Sequence, residues 1–67
     1  MYLEKPIADA LDRKKSVLVE IGTTSVGGEG PQMYINFGDH SLLLSHDDAK
    51  EFSDAVDRIA SYLGYNR

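Results

Sequence analysis

The sequence contains no cysteine and no tryptophan, and none of its uninterrupted apolar runs is long. Without cysteine there is no disulfide framework, no thiolate zinc site and no cysteine nucleophile. A secreted domain of this size usually needs disulfide cross-links, so we expect a cytoplasmic protein. The short apolar runs predict no membrane-spanning helix. The first residues carry acids rather than the apolar run of a signal peptide, so we expect no membrane partner.

Basic residues are also few. Seven lysines and arginines stand against eleven acidic residues, which gives a net charge of −4. A nucleic-acid surface needs clustered basic residues, so we expect no direct nucleic-acid binding. The length of 67 residues predicts a single domain, 1–67. At this size the apolar area buried barely offsets the entropy of ordering the chain, so a dimer or a bound partner would stabilise it.

The first element is predicted to be a short helix over residues 5–13. Pro6 suits a first helical turn, where its missing N–H costs nothing. Leu3, Ile7 and Leu11 then fall on one stripe at helical spacing.

Three strands are predicted next, over residues 16–21, 32–37 and 41–45, because apolar and polar residues alternate there. Short connections between them favour an antiparallel meander. One face of this sheet carries the larger apolar set, which is Val17, Val19, Ile21, Met33, Ile35, Phe37, Leu42 and Leu44.

A longer helix is predicted to end the chain. Ser45 followed by Asp48 resembles a capping box, and Gly64 is placed to follow the last turn. The apolar stripe of this helix consists of Phe52, Val56, Ile59 and Leu63. We expect the stripe to cover the larger apolar face of the sheet and form the core. The predicted fold class is therefore α+β, in the order αβββα.

No pattern in the sequence indicates catalysis. The serines lack a nucleophile-elbow context, and His40 and His46 lack the spacing of metal ligands. The glycine-rich segment 22–31 has no following GK[ST] and precedes a strand, so it favours a flexible hairpin loop or a partner-contact loop over a phosphate site. We therefore predict that the chain is not an enzyme and needs no cofactor and no metal.

The second sheet face is predicted to hold an apolar spot within a polar ring. Leu18, Tyr34 and Leu43 are the central residues of its three strands. Either the N-terminal helix covers this spot, giving three layers, or both helices share the core face and the spot is open. An open spot of this kind marks a dimer or partner interface. The predicted partner-binding residues are Leu18, Tyr34, Leu43, Gly27, Gly28, Glu29 and Gly30.

The final helix also carries an acidic face, formed by Asp47, Glu51 and Asp54. Acids at this spacing can imitate nucleic-acid phosphates and occupy a basic groove. The alternative is an ordinary solvated face with pairs such as Asp54–Arg58.

The order of helix, meander and acidic helix resembles small phage-encoded accessory proteins, among them some anti-CRISPR inhibitors. The resemblance rests on the segments IADAL, VLVEIG, QMYINFG, SLLLS and DDAKEFSDAVDRIASYL, without a diagnostic motif. It implies a protein that binds and blocks a larger machine. The sequence thus predicts a non-catalytic protein-binding module that inhibits or modulates a larger protein or complex. The alternatives are an acidic nucleic-acid mimic, or a small structural subunit or homodimer.

Overall fold

The computed structural model describes residues 1–66, which form a four-stranded antiparallel sheet followed by one helix. The elements are β1 (Leu3–Ala8), β2 (Ser16–Thr24), β3 (Gln32–Phe37), β4 (His40–Leu43) and α1 (His46–Leu63). The strands lie in chain order, and each pairs antiparallel with its neighbour. The predicted αβββα fold class, with its three-stranded meander, is therefore wrong, and only its α+β character agrees with the structure.

The predicted N-terminal helix is instead an edge strand, β1. This strand pairs with β2 from Leu3 opposite Ile21 to Ala8 opposite Ser16. Leu3 and Ile7 are four residues apart, and that spacing places two side chains on one face of a helix or of a strand. The apolar pattern alone therefore could not separate the two structures. A proline within a strand is tolerated at the edge of a sheet, which accounts for Pro6.

A turn occupies the rest of the predicted helix. The carboxylate of Asp9 accepts hydrogen bonds of 2.9 Å from the backbone N–H groups of Leu11 and Asp12. Asp12 does the same for Lys14 at 3.2 Å. Aspartates that bind nearby backbone in this way favour turns over helices. Leu11, expected on the helical stripe, is 98% exposed.

The register of the strands defines two faces of the sheet. The inner face carries Leu3, Lys5, Ile7, Val17, Val19, Ile21, Thr23, Met33, Ile35, Phe37, His40 and Leu42. The outer face carries Glu4, Pro6, Ala8, Ser16, Leu18, Glu20, Gly22, Thr24, Gln32, Tyr34, Asn36, Ser41 and Leu43. Side chains alternate along each strand, so paired residues share a face.

Both predicted ends of the C-terminal helix are confirmed. The hydroxyl of Ser45 accepts a hydrogen bond from the backbone N–H of Asp48 at 3.1 Å. Gly64 adopts a left-handed φ of 77°, and the backbone N–H of Tyr65 reaches back to the carbonyl of Ala60 at 2.8 Å. These are the cap geometries that start and stop a helix. In the described part of the chain, no helix combines the length and the apolarity that a bilayer crossing requires.

The helix lies on the inner face, as expected, but it does not build a closed core there. Among the described residues, the backbone of the helix comes close to that of the sheet at β3 and at no other strand. A groove of about 270 Å³ beside Ile21 and Met33 is walled by the helical residues Phe52 and Val56. No apolar side chain of the described residues is buried, and Gln32 is the one polar residue that is. The expected full coverage of the apolar face is therefore wrong.

Candidate functional site

The outer face of the sheet is open. The three-layer arrangement is wrong, because residues 5–13 form no helix that could cover this face and α1 lies on the opposite side. The outer face is therefore the candidate site. The sequence suggested an open outer face because two helices would share the inner face; in the structure it is open because the predicted first helix is the strand β1.

The three apolar residues predicted for this face do not form one spot. Tyr34 on β3 lies directly opposite Leu43 on β4. On β2 the partner of Tyr34 is Gly22, whereas Leu18 lies four residues before Gly22 on that strand. At about 3.3 Å per residue, this offset is about 13 Å. Tyr34 and Leu43 are therefore neighbours, and Leu18 stands apart near Gly38, whose N–H donates to its carbonyl at 2.9 Å.

A row of polar residues separates the two apolar parts. We call it the polar row; it contains one residue from each strand, namely Glu4, Glu20, Asn36 and Ser41. The amide of Asn36 donates to Glu20 at 3.3 Å, and the hydroxyl of Ser41 donates to the amide oxygen of Asn36. The row thus forms a chain of hydrogen bonds from β4 to β2.

Tyr34 joins the polar row through its hydroxyl, which donates to Glu20 Oε2 at 2.5 Å. Both carboxylate oxygens of Glu20 therefore accept a hydrogen bond. This bond raises the pKa of Tyr34 above its ordinary value of 10.0, and desolvation and the charges of Glu20 and Glu4 add to the rise. Hydrogen bonds to a charged acceptor are stronger than neutral ones, so they hold the ring and the carboxylate in place.

Glu4, on β1, is the exposed end of the row. It lies directly opposite Glu20 in the β1–β2 register, and like charges in that position repel. In residues 1–66 the recorded ion pair joins Asp39 and His40 at 3.9 Å, so no described cation offsets the two glutamates. The outer face therefore presents a carboxylate pair whose repulsion a cation from another molecule would relieve.

Gly22 makes room for the tyrosine. This glycine was expected in the loop 22–31, but it is a buried residue within β2. A Cβ there would lie 2.9 Å from Cε2 and from the hydroxyl oxygen of Tyr34. Real Cβ atoms do not approach other atoms so closely, so only glycine lets the ring lie across β2 towards Glu20.

The glycine-rich loop borders the other end of this surface. A Cβ at Gly27 would meet the side-chain oxygen of Gln32 at 1.9 Å and Leu43 at 3.0 Å, so the backbone here packs tightly against the sheet. Gly28 and Gly30 have φ values of 81° and 80° and nothing near them. The carbonyl of Glu29 lies 3.4 Å from His46 Nε2. The structure thus brings the loop beside Leu43, as predicted, but not beside Leu18.

The other predicted features lie elsewhere. Asp47, Glu51 and Asp54 are exposed on α1, and the suggested Asp54–Arg58 pair is absent from the ion pairs of the described residues. His46 begins α1, while His40 belongs to β4. No group of three potential metal ligands occurs among residues 1–66.

The polar row is the functional feature that sequence reasoning missed. The sequence predicted a polar ring around an apolar spot, but it did not place Glu4 on the sheet, because a helix was expected over residues 5–13. The signal that could have found the row is the register, because β1 must first be recognised as a strand before Glu4 is seen opposite Glu20.

No family model matches the chain, and neither the curated proteins nor the solved structures contain a significant match. One of the segments that carry the resemblance to phage accessory proteins, IADAL, lies in β1 and the following turn rather than in a helix.

Proposed function

We propose that the chain is a non-catalytic protein-binding module that inhibits or modulates a larger protein or complex, and that its outer face makes the contact. The observation that carries this proposal is the hydrogen-bonded polar row beside Tyr34 and Leu43 on an uncovered sheet face. Side chains already fixed by hydrogen bonds lose little entropy on binding, which favours affinity.

The charges of this face specify the kind of partner. The opposed carboxylates of Glu4 and Glu20 favour an arginine or lysine side chain, which relieves their repulsion and donates charge-assisted hydrogen bonds to them. The ring of Tyr34 lies beside this position and can add a cation–π contact. The net charge of −4 steers a basic protein surface towards the chain.

The shape of this face favours a protein over a small molecule. A groove of about 550 Å³ on it, bordered by Val26, Tyr34 and Leu43, is open to solvent. Small-molecule sites enclose most of their ligand. A flat surface that combines an aromatic residue, apolar contacts and ordered polar groups is typical of protein interfaces.

The test is a comparison of matched variants for binding to a purified partner. Tagged full-length chain first recovers candidate partners from a nuclease-treated lysate of its own host, and the recovered protein is then purified and titrated. We expect Leu43→Asp and Glu20→Lys to lose binding, because the first alters the apolar part and the second places a positive charge beside Glu4 and so removes the net negative charge of the row. Leu11→Asp is the control, since Leu11 projects into solvent from a turn.

Two results would overturn this proposal. Equal affinity of Leu43→Asp, Glu20→Lys and the control would show that the outer face is not used. Loss of binding in high salt without any effect of Leu43→Asp would instead favour the alternative in which Asp47, Glu51 and Asp54 occupy a basic groove, because exposed charges are screened within about 8 Å.

A further inference from the structure

We propose that a second copy of this chain covers the inner face, so that the protein is an obligate homodimer. The interface consists of the uncovered part of the inner face together with the open side of α1. This inference is separate from the proposed function, which uses the outer face.

The chain exposes more surface than a compact monomer of its mass. The chain has a solvent-accessible surface of 5578 Å². A folded monomer of 7.4 kDa is expected to expose about 4,200 Å². The excess is about 1,400 Å² per chain, so a dimer that removed it would bury about 2,800 Å². This value lies in the range of about 2,000–5,000 Å² typical of obligate homodimers.

The shape of the molecule agrees with the area. Its radius of gyration is 13.6 Å, whereas a compact chain of this length has about 11 Å. The extents are 40 × 30 × 16 Å, which describe a broad, thin slab. Two layers that pack fully over one another would form a thicker and narrower body, so the slab has a large face without a covering layer.

The uncovered surface is apolar on both the sheet and the helix. On the sheet it includes Ile7, Phe37 and Leu42, and on the helix Val56, Ile59 and Leu63, all of them 44–64% exposed. A groove beside Met33 on the sheet is lined on the helix side by the small residues Ala49 and Ser53. The larger residues Ile59, Tyr62 and Leu63 line a separate groove away from the sheet.

A second copy fits this surface because each chain supplies both halves of the contact. One protomer offers an open apolar helix side and an open apolar sheet region, and a two-fold axis brings each helix side to the partner's sheet region. Such an isologous interface is the commonest way in which identical chains associate.

None of the described apolar side chains is buried, so the inner face needs a covering partner whenever the chain is folded. A chain without a closed core is not stable until it is covered, and obligate homodimers have this property. A different partner would leave the chain unfolded until the two met. A second copy is available wherever the chain is made.

The test is sedimentation equilibrium of the full chain, together with thermal unfolding over a hundredfold range of concentration. We expect the mass of a dimer and a melting temperature that falls by about 5 °C for each tenfold dilution, because dilution favours dissociated and unfolded chains. A monomer mass with a melting temperature independent of concentration would overturn the proposal.

Three variants identify the surface. Ile59→Glu places a charge within the proposed interface, and we expect at least a tenfold weaker dimer. Leu43→Asp lies on the outer face and Leu11→Glu in an exposed turn, and both should keep the dimer. A dimer that survives Ile59→Glu, or that is lost in Leu43→Asp, would contradict the proposed interface. If Ile59→Glu unfolds, the concentration dependence of the unaltered chain still decides the question.

Discussion

The hydroxyl of Tyr34 on β3 reaches across Gly22 and donates a hydrogen bond of 2.5 Å to the carboxylate of Glu20 on β2. This contact joins the aromatic part of the outer face to the polar row. It also fixes the position of one of two opposed carboxylates, the other being Glu4. The surface that we propose for partner binding is therefore held in shape before any partner arrives.

Removal of the tyrosine hydroxyl tests that preorganisation. In Tyr34→Phe the ring remains, but Glu20 loses its shortest hydrogen bond. We expect the affinity for the partner to fall about tenfold, as the loss of a bond to a charged group usually costs. Calorimetric titration measures the change, with Tyr65→Phe as the matched control because Tyr65 is 76% exposed beyond the end of α1. Equal affinities of the two variants would contradict a role for this hydrogen bond.

The same contact predicts a pH dependence. The pKa of Tyr34 is raised, first by the hydrogen bond to Glu20, then by desolvation and by the charges of Glu20 and Glu4. A pKa that is higher in the folded than in the unfolded chain stabilises the fold below the unfolded value, and that stabilisation is lost as the pH rises through the folded pKa. We therefore expect the unfolding free energy to decline above about pH 10.

The measurement is the titration of the Tyr34 ring by NMR. In the unaltered chain its midpoint should lie above pH 10, and in Glu20→Gln it should move down, because the charge and the acceptor that oppose ionisation are weakened. An unchanged midpoint in Glu20→Gln would show that the bond to Glu20 is not what raises the pKa.

A methyl group at position 22 should displace the ring of Tyr34 in the same site. In Gly22→Ala the new Cβ would approach Tyr34 and the backbone of Met1 to 2.9 Å. We expect a loss of about 1–3 kcal/mol in unfolding free energy, as for other overpacked sites, together with weaker binding. Ser61→Ala is the control, because Ser61 is exposed in the last turns of α1, away from the outer face. Urea unfolding compares the two, and an unaffected Gly22→Ala would contradict the close packing.

The helix cap gives a prediction that is independent of the outer face. Ser45→Ala removes the side chain that accepts the N–H of Asp48. The expected cost is about 1 kcal/mol, measured by urea unfolding, with Ser61→Ala in the exposed last turns as the control. Equal stability of the two variants would show that the cap does not contribute.

The sequence predicted those parts of the fold whose signals are local. Ser45 and Gly64 mark the ends of α1 by their own chemistry, and the bounds of β3 agree with alternation in QMYINF. The first strand could not be predicted in this way, because the spacing of Leu3 and Ile7 fits a helix equally well and only pairing with β2 decides between them.

In the candidate site, too, positions fixed by local signals were predicted and positions fixed by non-local strand pairing were not. Tyr34 and Leu43 were predicted to be neighbours and are, because β3 and β4 are joined by a tight turn that fixes their register. Leu18 was placed beside them by counting strand centres, yet β2 extends three residues further than expected, and the register moves Leu18 to the far side of the polar row. Non-local register is not encoded in the strand pattern itself.

The central claim is that the two faces of the sheet have different roles, with the inner face stabilising the fold and the outer face free for a partner. Equilibrium unfolding of Leu43→Asp beside Ile59→Glu tests it most directly. We predict that Leu43→Asp keeps the dichroism of the unaltered chain and loses about 1 kcal/mol or less, as exposed substitutions do, whereas Ile59→Glu unfolds at a lower urea concentration because its dimer is at least tenfold weaker. Unfolding of Leu43→Asp with a stable Ile59→Glu would contradict the claim.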